Sequence, residues 1–522
     1  RQRQMCIRDS NYGSEYNTQA AILARHTDNI DETHGTHTAG IAAGSGYGTS
    51  YTGAAPASDL ILVATTMQST GILNGVQYIV SEAKAQNKPC VVNLSIGSQM
   101  GPHDGTSPFD QMIDQIAGPG IIVVGAAGNE GEEPLFLQKQ YDTARPADTL
   151  LYTILEPAQN AQYIVTDMWG TPGTDYSARI EIIDNASGTV AASTEWVDQA
   201  AGSLGFPLYT PQNIYLVRFQ QQLNPLNQKN NMLIFIQTES FGDSEKIRLS
   251  LINKTGLVQM WATNSTFTDN NDGAPYTKGS TDYTVSEIGG VGRQIISVGA
   301  YCTKNKWTPL SGGEYSYNPL PQLGTIAPFS SKGPTADGRT KPDITAPGFG
   351  VVSSFNSYNP QYGATNRTTV QQAAFNNRTY YWGIDQGTSM AAPVVAGTMA
   401  LWLEAYPQLT PAEAKDIFAR YAQDPTGGNN IWGQGKLDAF SGIQEAIKMA
   451  NLSGMQNTLT QSPVVVYPQP ASDRLFVETN PDCTMTRISI RDLSGRQMLQ
   501  QDTHTRSGLY TIPVGDLPAG IY

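Results

Sequence analysis

Charge is scarce in this sequence: Lys, Arg, Asp and Glu make up 15% of 522 residues, against roughly 25% in an average soluble protein. Positive charge is the scarcer sign, with 32 Lys and Arg against 45 Asp and Glu and a net charge of −13. Nucleic-acid binding requires clustered cations, so that class of partner is excluded. Long apolar runs are missing too. The stretch from Gly120 to Ala127 falls well short of the ~18 residues of a membrane span and reads as a buried strand, so no transmembrane segment is expected. Cysteines are few. Discounting Cys6, which lies in the opening tract considered below, Cys90, Cys302 and Cys483 stand far apart and odd in number. No disulfide framework or zinc spacing can be built from them. Gly, Asn, Gln, Thr and Ser fill the space that charge leaves, a composition suited to loop-rich β structure outside the cell. The length exceeds one compact core, so several domains are expected.

The chain opens on RQRQMCIRDS. This tract has neither helical nor strand periodicity and resembles translated sequencing-adapter read-through, so residues 1–10 are read as non-native. Over 11–134, short apolar runs (Leu60 to Ala64, Val91 to Ile96, Ile121 to Ala126) alternate with helical stretches such as Gly71 to Gln86. Strand–helix–strand repetition predicts a parallel, doubly wound α/β sheet. The texture changes over 135–285. There Ile180 and Ile182 alternate with Arg179 and Glu181, while Ile247, Leu249 and Leu251 alternate with Lys246, Arg248 and Ser250. That alternation predicts an inserted antiparallel β-sandwich with one solvated face. The α/β texture resumes over 286–450, where Thr410, Pro411 and Glu413 spell a helix start with a capping box. Residues 451–463, NLSGMQNTLTQSP, are polar and aperiodic and read as a linker. A short C-terminal β-sandwich module is expected over 464–522.

Chemistry concentrates in three segments. His34 and His37 lie in His34-Gly35-Thr36-His37-Thr38-Ala39-Gly40-Ile41. Their spacing could suit a metal, with Glu32 a conceivable third ligand, but no further clustering supports a zinc site. The other reading is a catalytic base at a helix start, with His37 a structural neighbour. The second segment is Gly387-Thr388-Ser389-Met390-Ala391-Ala392-Pro393. A proline inside an apolar helical run is tolerated if Ser389 begins the helix, where amides have no intrahelical acceptor. A serine at such a start is usually a cap, but the free N–H groups there can also stabilise an oxyanion. The third segment, Gly125-Ala126-Ala127-Gly128-Asn129-Glu130-Gly131, follows an apolar strand. Asn129 lies where open α/β sheets place ligands, either as a turn former or as an amide donor.

Together the three segments resemble the subtilisin-like serine proteases, the subtilases, over about 11–134 and 286–450. Further motifs agree in order: Gly53-Ala54-Ala55-Pro56, Asn93-Leu94-Ser95-Ile96-Gly97, Phe329 to Pro334, Lys341 to Gly348 and Trp432 to Asp438. The resemblance implies a serine endopeptidase with His34 as base, Ser389 as nucleophile and Asn129 as oxyanion amide. Ser95, Ile96 and Gly97 become the edge that pairs with an extended peptide or protein substrate. No organic cofactor is implied. Calcium is common in the family, but no ligand set can be assigned here. The family order is Asp, His, Ser, and upstream of His34 the aspartates are Asp9, Asp28 and Asp31. Asp28 and Asp31 lie too close in sequence to the base, and no apolar strand precedes Asp9. The catalytic Asp is therefore expected to be missing from this sequence and the chain nearly inactive; the other class of reading is a pseudo-protease that binds without cutting. In the C-terminal module, Val466 to Asp473, Ile488 to Gly495 and Leu517 to Tyr522 resemble a type IX secretion sorting domain of Bacteroidetes-type bacteria, lacking its closing strands. A secreted or cell-surface protein that engages the type IX machinery follows.

Overall fold

The computed structural model describes residues 2–7, 12–25, 29–198, 202–269, 275–423, 428–461, 464–467, 473–491 and 497–517. Asp9, Asp28, Pro468 to Ser472, Asp492 to Gly495 and Pro518 to Tyr522 fall outside these residues. The chain divides into two compact units, 1–444 and 445–522.

At the centre of the first unit is a six-stranded sheet. Cys90–Leu94, Ile121–Ala126, Ile296–Cys302 and Ile344–Ser354 run parallel in that order. Arg378–Gln386 and Thr369–Phe375 extend the edge antiparallel. Continuous burial along Ile122, Val123 and Val124 explains the unbroken apolar runs, because helices cover both faces. On one face Ile72, Val76 and Val80 of the helix Ser69–Ala85 pack with Val92, Leu94, Phe109, Ile113 and Val123. The helix Pro411–Tyr421 starts with the expected capping box, Thr410 and Glu413 each satisfying the other's backbone N–H.

The sandwich lies between two parallel strands of this sheet. Its two antiparallel sheets are built from residues 136–268 around Ile180, Ile182, Phe219, Ile234, Leu249, Leu251, Met260 and Trp261, all buried. The face expected to be solvated is covered instead. Glu181 takes a bidentate pair of hydrogen bonds from Arg248 at 2.8 Å and an ion pair from Arg179 at 2.7 Å. Arg179 lies over Trp196 and Arg248 over Tyr152. Burial pushes the Glu181 carboxyl up, but the bonds from Arg248 and Ser250 outweigh it and leave the pKa lowered. Alternation of charged residues thus marked an ion cluster roofed by aromatic rings, not an open surface.

Two other expectations are corrected. Gln2–Ile7 form a strand despite their side-chain pattern, pairing parallel with Leu60–Leu62 and antiparallel with Tyr12–Tyr16. Strand pairing is a backbone property, and a partner on each side supplies it without apolar alternation. The stretch read as a linker continues a helix, Ala439–Gln461, through residue 461. The described strands of the second unit, Val464–Tyr467, Arg474–Arg491 and Gln497–Pro513, form one antiparallel sheet.

Candidate active site

His34 and Ser389 stand at the starts of two helices, His34–Ala43 and Thr388–Ala405. The helices touch through small residues: a Cβ on Gly397 would lie 2.6 Å from the Ala42 carbonyl oxygen. Each candidate residue sits eight positions before that contact (42 − 34 and 397 − 389). Gly387 turns the chain from the strand Arg378–Gln386 into the serine helix with φ of +145°, a conformation that disfavours side chains.

Tertiary hydrogen bonds hold the serine end. Asn129 Oδ1 accepts from Thr388 N–H at 2.9 Å and lies 3.0 Å from the Thr388 hydroxyl. Gly128 N–H donates to that hydroxyl at 3.1 Å. With Oδ1 engaged there, the Asn129 Nδ2 protons are left for the pocket, and the Ser389 N–H has no acceptor among the described residues. The Ser389 hydroxyl makes one long bond, 3.4 Å to the Ser95 carbonyl.

Pro393 lies in the sixth position of the helix, so its tolerance has a different cause from the one expected. Lacking an N–H, it leaves the carbonyl four residues earlier without a donor, and that carbonyl belongs to Ser389. Ser95 Oγ donates to it at 2.8 Å. Ser95 is accordingly buried and does not line the pocket, whereas Ile96 and Gly97 do. The signal for this was in the sequence: a proline four residues after the serine calls for an outside donor.

The pocket holds about 250 Å³ and is lined by Ser389, Thr388, Asn129, Gly128, Glu130, Ala126, the segment Ile96–Gln99, Ser286 and Thr263. Glu130 Oε2 accepts from the N–H of Asn129 (2.7 Å), the hydroxyl of Ser331 (3.0 Å) and the amide of Gln99 (3.2 Å). Burial raises its pKa against those bonds. Sequence reasoning assigned no role to Glu130, Thr388 or Thr263. Thr388 and Glu130 adjoin recognised residues, but nothing in the sequence ties Thr263 to this place.

His34 is half-buried, and among the described residues no carboxylate is hydrogen-bonded to it. His37 is fully buried, its Nε2 on the Gly383 carbonyl at 3.0 Å. Burial lowers its pKa, with Asp385 opposing, so it is neutral near pH 7 and Nε2–H is the donor. Among the described residues no group of three His, Cys, Asp or Glu could hold a metal ion.

A serine at a helix start, an oriented amide beside it and a histidine on an adjoining helix thus lie outside one mostly parallel α/β sheet. Residues 7–435 match the subtilase family and residues 465–522 the secretion system C-terminal sorting domain. The chain belongs to the subtilase family. Among curated relatives it is 35% identical over 161 residues to the serine protease AprX of Bacillus subtilis, a match covering 30% of each chain. With the PII-type proteinase of Lactococcus lactis subsp. cremoris it shares 25% identity over 412 residues, 72% of this chain and 19% of that one. It thus spans under a third of the length of either relative. The CspB protease of Clostridium perfringens has a similar fold, with a TM-score of 0.61 at 19% identity, covering 85% of this chain and 89% of that one. The sorting-domain match indicates secretion or the cell surface. No helix among the described residues is long and apolar enough to cross a membrane.

Proposed function

We propose that the chain is a secreted serine endopeptidase that works through an acyl-enzyme, with Ser389 as nucleophile, His34 as base and Asn129 as oxyanion donor. The observation that carries the reading is the Asn129 side chain, turned by Thr388 N–H so that its amide protons and the Ser389 N–H are both free beside the Ser389 hydroxyl. In this scheme Ser389 Oγ attacks the peptide carbonyl as His34 takes its proton. The two N–H donors hold the developing oxyanion. His34 then returns the proton to the departing amine, and water releases the acyl group by the same route. Ile96 and Gly97 pair with the extended substrate, Ser95 holds the serine helix, and the type IX machinery reads the C-terminal module.

The triad also needs a carboxylate to orient the His34 imidazole and stabilise its cation. Asp9 was discounted for want of a strand before it. A strand ends at Ile7, and the family match begins at that residue. Asp9 is therefore our candidate for the partner. Without one, turnover would fall about 10⁴-fold and the chain would act as a binding module. A fluorophosphonate probe separates the two. Labelling of Ser389 that disappears in Ser389→Ala is expected of the endopeptidase; labelling that survives Ser389→Ala would remove Ser389 from the role.

A further inference from the structure

Thr263 belongs to the inserted sandwich, yet it lines the pocket beside Ser389. We propose that Thr263 is a specificity-determining residue: the sandwich supplies one wall of the pocket for the substrate side chain preceding the scissile bond, and Thr263 limits that side chain's size. The inference rests on the reading of Ser389 as nucleophile and Ile96–Gly97 as substrate edge.

Such a wall must be rigid to select. Thr263 ends the strand Leu257–Thr263 and pairs with Val165. Trp261, two residues earlier, points to the same face of that strand. Its ring stacks on His103, centroids 4.2 Å apart and planes within 7°, and its indole N–H donates to the Tyr283 carbonyl at 2.9 Å. Directly across from Trp261 stands Asp167, whose carboxylate accepts the Gly101 N–H at 2.7 Å and an amide proton of Asn231. Lys229 pairs with Asp104 at 2.6 Å. His103, Gly101 and Asp104 all lie on the loop that leaves the substrate edge. That loop is gripped by one cross-strand pair of the sandwich and one lysine beside it, so Thr263 lines the same pocket as Ser98 and Gln99 from a fixed position.

The lining also defines the class of side chain. The Glu130 carboxylate is part of the wall, and its Oε2 already has three donors. Asp and Glu side chains are repelled. A pocket of about 250 Å³ admits an uncharged side chain up to the size that Thr263 permits.

The test uses the full chain and peptide anilides that differ only before the scissile bond, with Ala, Leu, Phe or Glu there. Thr263→Trp is expected to lower kcat/KM for Leu and Phe about ten-fold or more relative to Ala, and Thr263→Ser to keep the original ranking. Thr263→Gly should shift the ranking toward Phe, which keeps the test decisive if the Trp variant misfolds. The Glu peptide should be the poorest substrate throughout. A fluorophosphonate probe, which carries no peptide side chain, monitors Ser389 in each variant. Intact labelling with an unchanged ranking, or with equal losses on every peptide, overturns the inference alone. No Ser389 labelling in the unsubstituted chain overturns the reading beneath it and the inference together.

Discussion

At the start of the serine helix, distant parts of the chain hold the polar groups: Asn129 takes the Thr388 N–H, Gly128 reaches the Thr388 hydroxyl and Ser95 caps the Ser389 carbonyl. The start of the histidine helix is held just as firmly in its backbone. Thr33 Oγ1 accepts the Asn356 N–H at 2.7 Å, Asn356 donates to the Glu32 carbonyl at 2.8 Å, and Ser353 donates to the His37 carbonyl at 2.8 Å. The side chains differ. Ser389 lies in a finished cradle, while the His34 ring has no hydrogen bond among the described residues. In the proposed scheme the oxyanion donors would therefore be preorganised in the resting chain, whereas orientation of the base would depend on a further group. An imidazole without a carboxylate partner can present the wrong nitrogen.

The largest effect that would break this contrast is loss of the nucleophile. Ser389→Ala should cost about 10⁶-fold in kcat and leave the melting temperature nearly unchanged, since among the described residues the hydroxyl makes only one long bond. A large drop in melting temperature would mean that the serine is structural. Next comes the missing partner of the base. Asp9→Asn should lower kcat about 10⁴-fold, with fluorophosphonate labelling slowed in parallel; unchanged turnover would show that His34 functions without Asp9. Third, Asn129→Ala should cost about 10²- to 10³-fold in kcat. Asn129→Asp keeps the acceptor for Thr388 but removes the donor, so it should lose similar activity while folding better than the alanine variant. If it recovers activity, the cradle and not the oxyanion contact is what Asn129 supplies.

A smaller effect sharpens the account of the cradle. Ser95→Ala leaves a buried carbonyl without a donor, a loss of about 1–3 kcal/mol, to be read as a lower midpoint in denaturant. Pro393→Ala provides an intrahelical N–H for the same carbonyl. The double variant should therefore recover part of the loss, and strict additivity would show that the two residues do not share that carbonyl.

The smallest effect is a pH dependence at the histidine helix. The His37 pKa in the folded chain lies below its ordinary 6.5, chiefly through burial. As pH falls the unfolded chain takes up this proton first, so stability is full above about 6.5 and declines below it. Burial also brings His103 down to about 4, which adds in the same direction, while Asp167, pushed up to about 6, acts in the opposite one. The measurement is therefore a difference. Relative to His37→Gln, the unsubstituted chain should lose stability as pH drops from 6.5 toward 5, and a flat difference would mean that His37 is not buried neutral.

Much of the chain was legible from local rules. Continuous apolar runs marked the parallel strands because both faces are covered, and Thr410 with Glu413 spelled a capping box that forms as written. His34, Ser389 and Asn129 stood out only jointly, through the resemblance of their three segments to the subtilases. Other features were misread for physical reasons. Gln2–Ile7 became a strand through neighbours on both sides, and Arg179, Glu181 and Arg248 became a cluster beneath aromatic rings.

The sequence by itself determined the order of elements and the insertion of a sandwich between two parallel strands. These follow from periodicity, capping and residue type, which act over a few positions, whereas the roles given to His34, Ser389 and Asn129 come from the resemblance of their segments to the subtilases. Only the tertiary structure decided that Ser95 answers for the amide Pro393 lacks, that Thr388 turns the Asn129 amide and that Thr263 walls the pocket. Each of those joins residues more than a hundred positions apart, where the deciding quantity is a distance across packed elements and not a pattern along the chain.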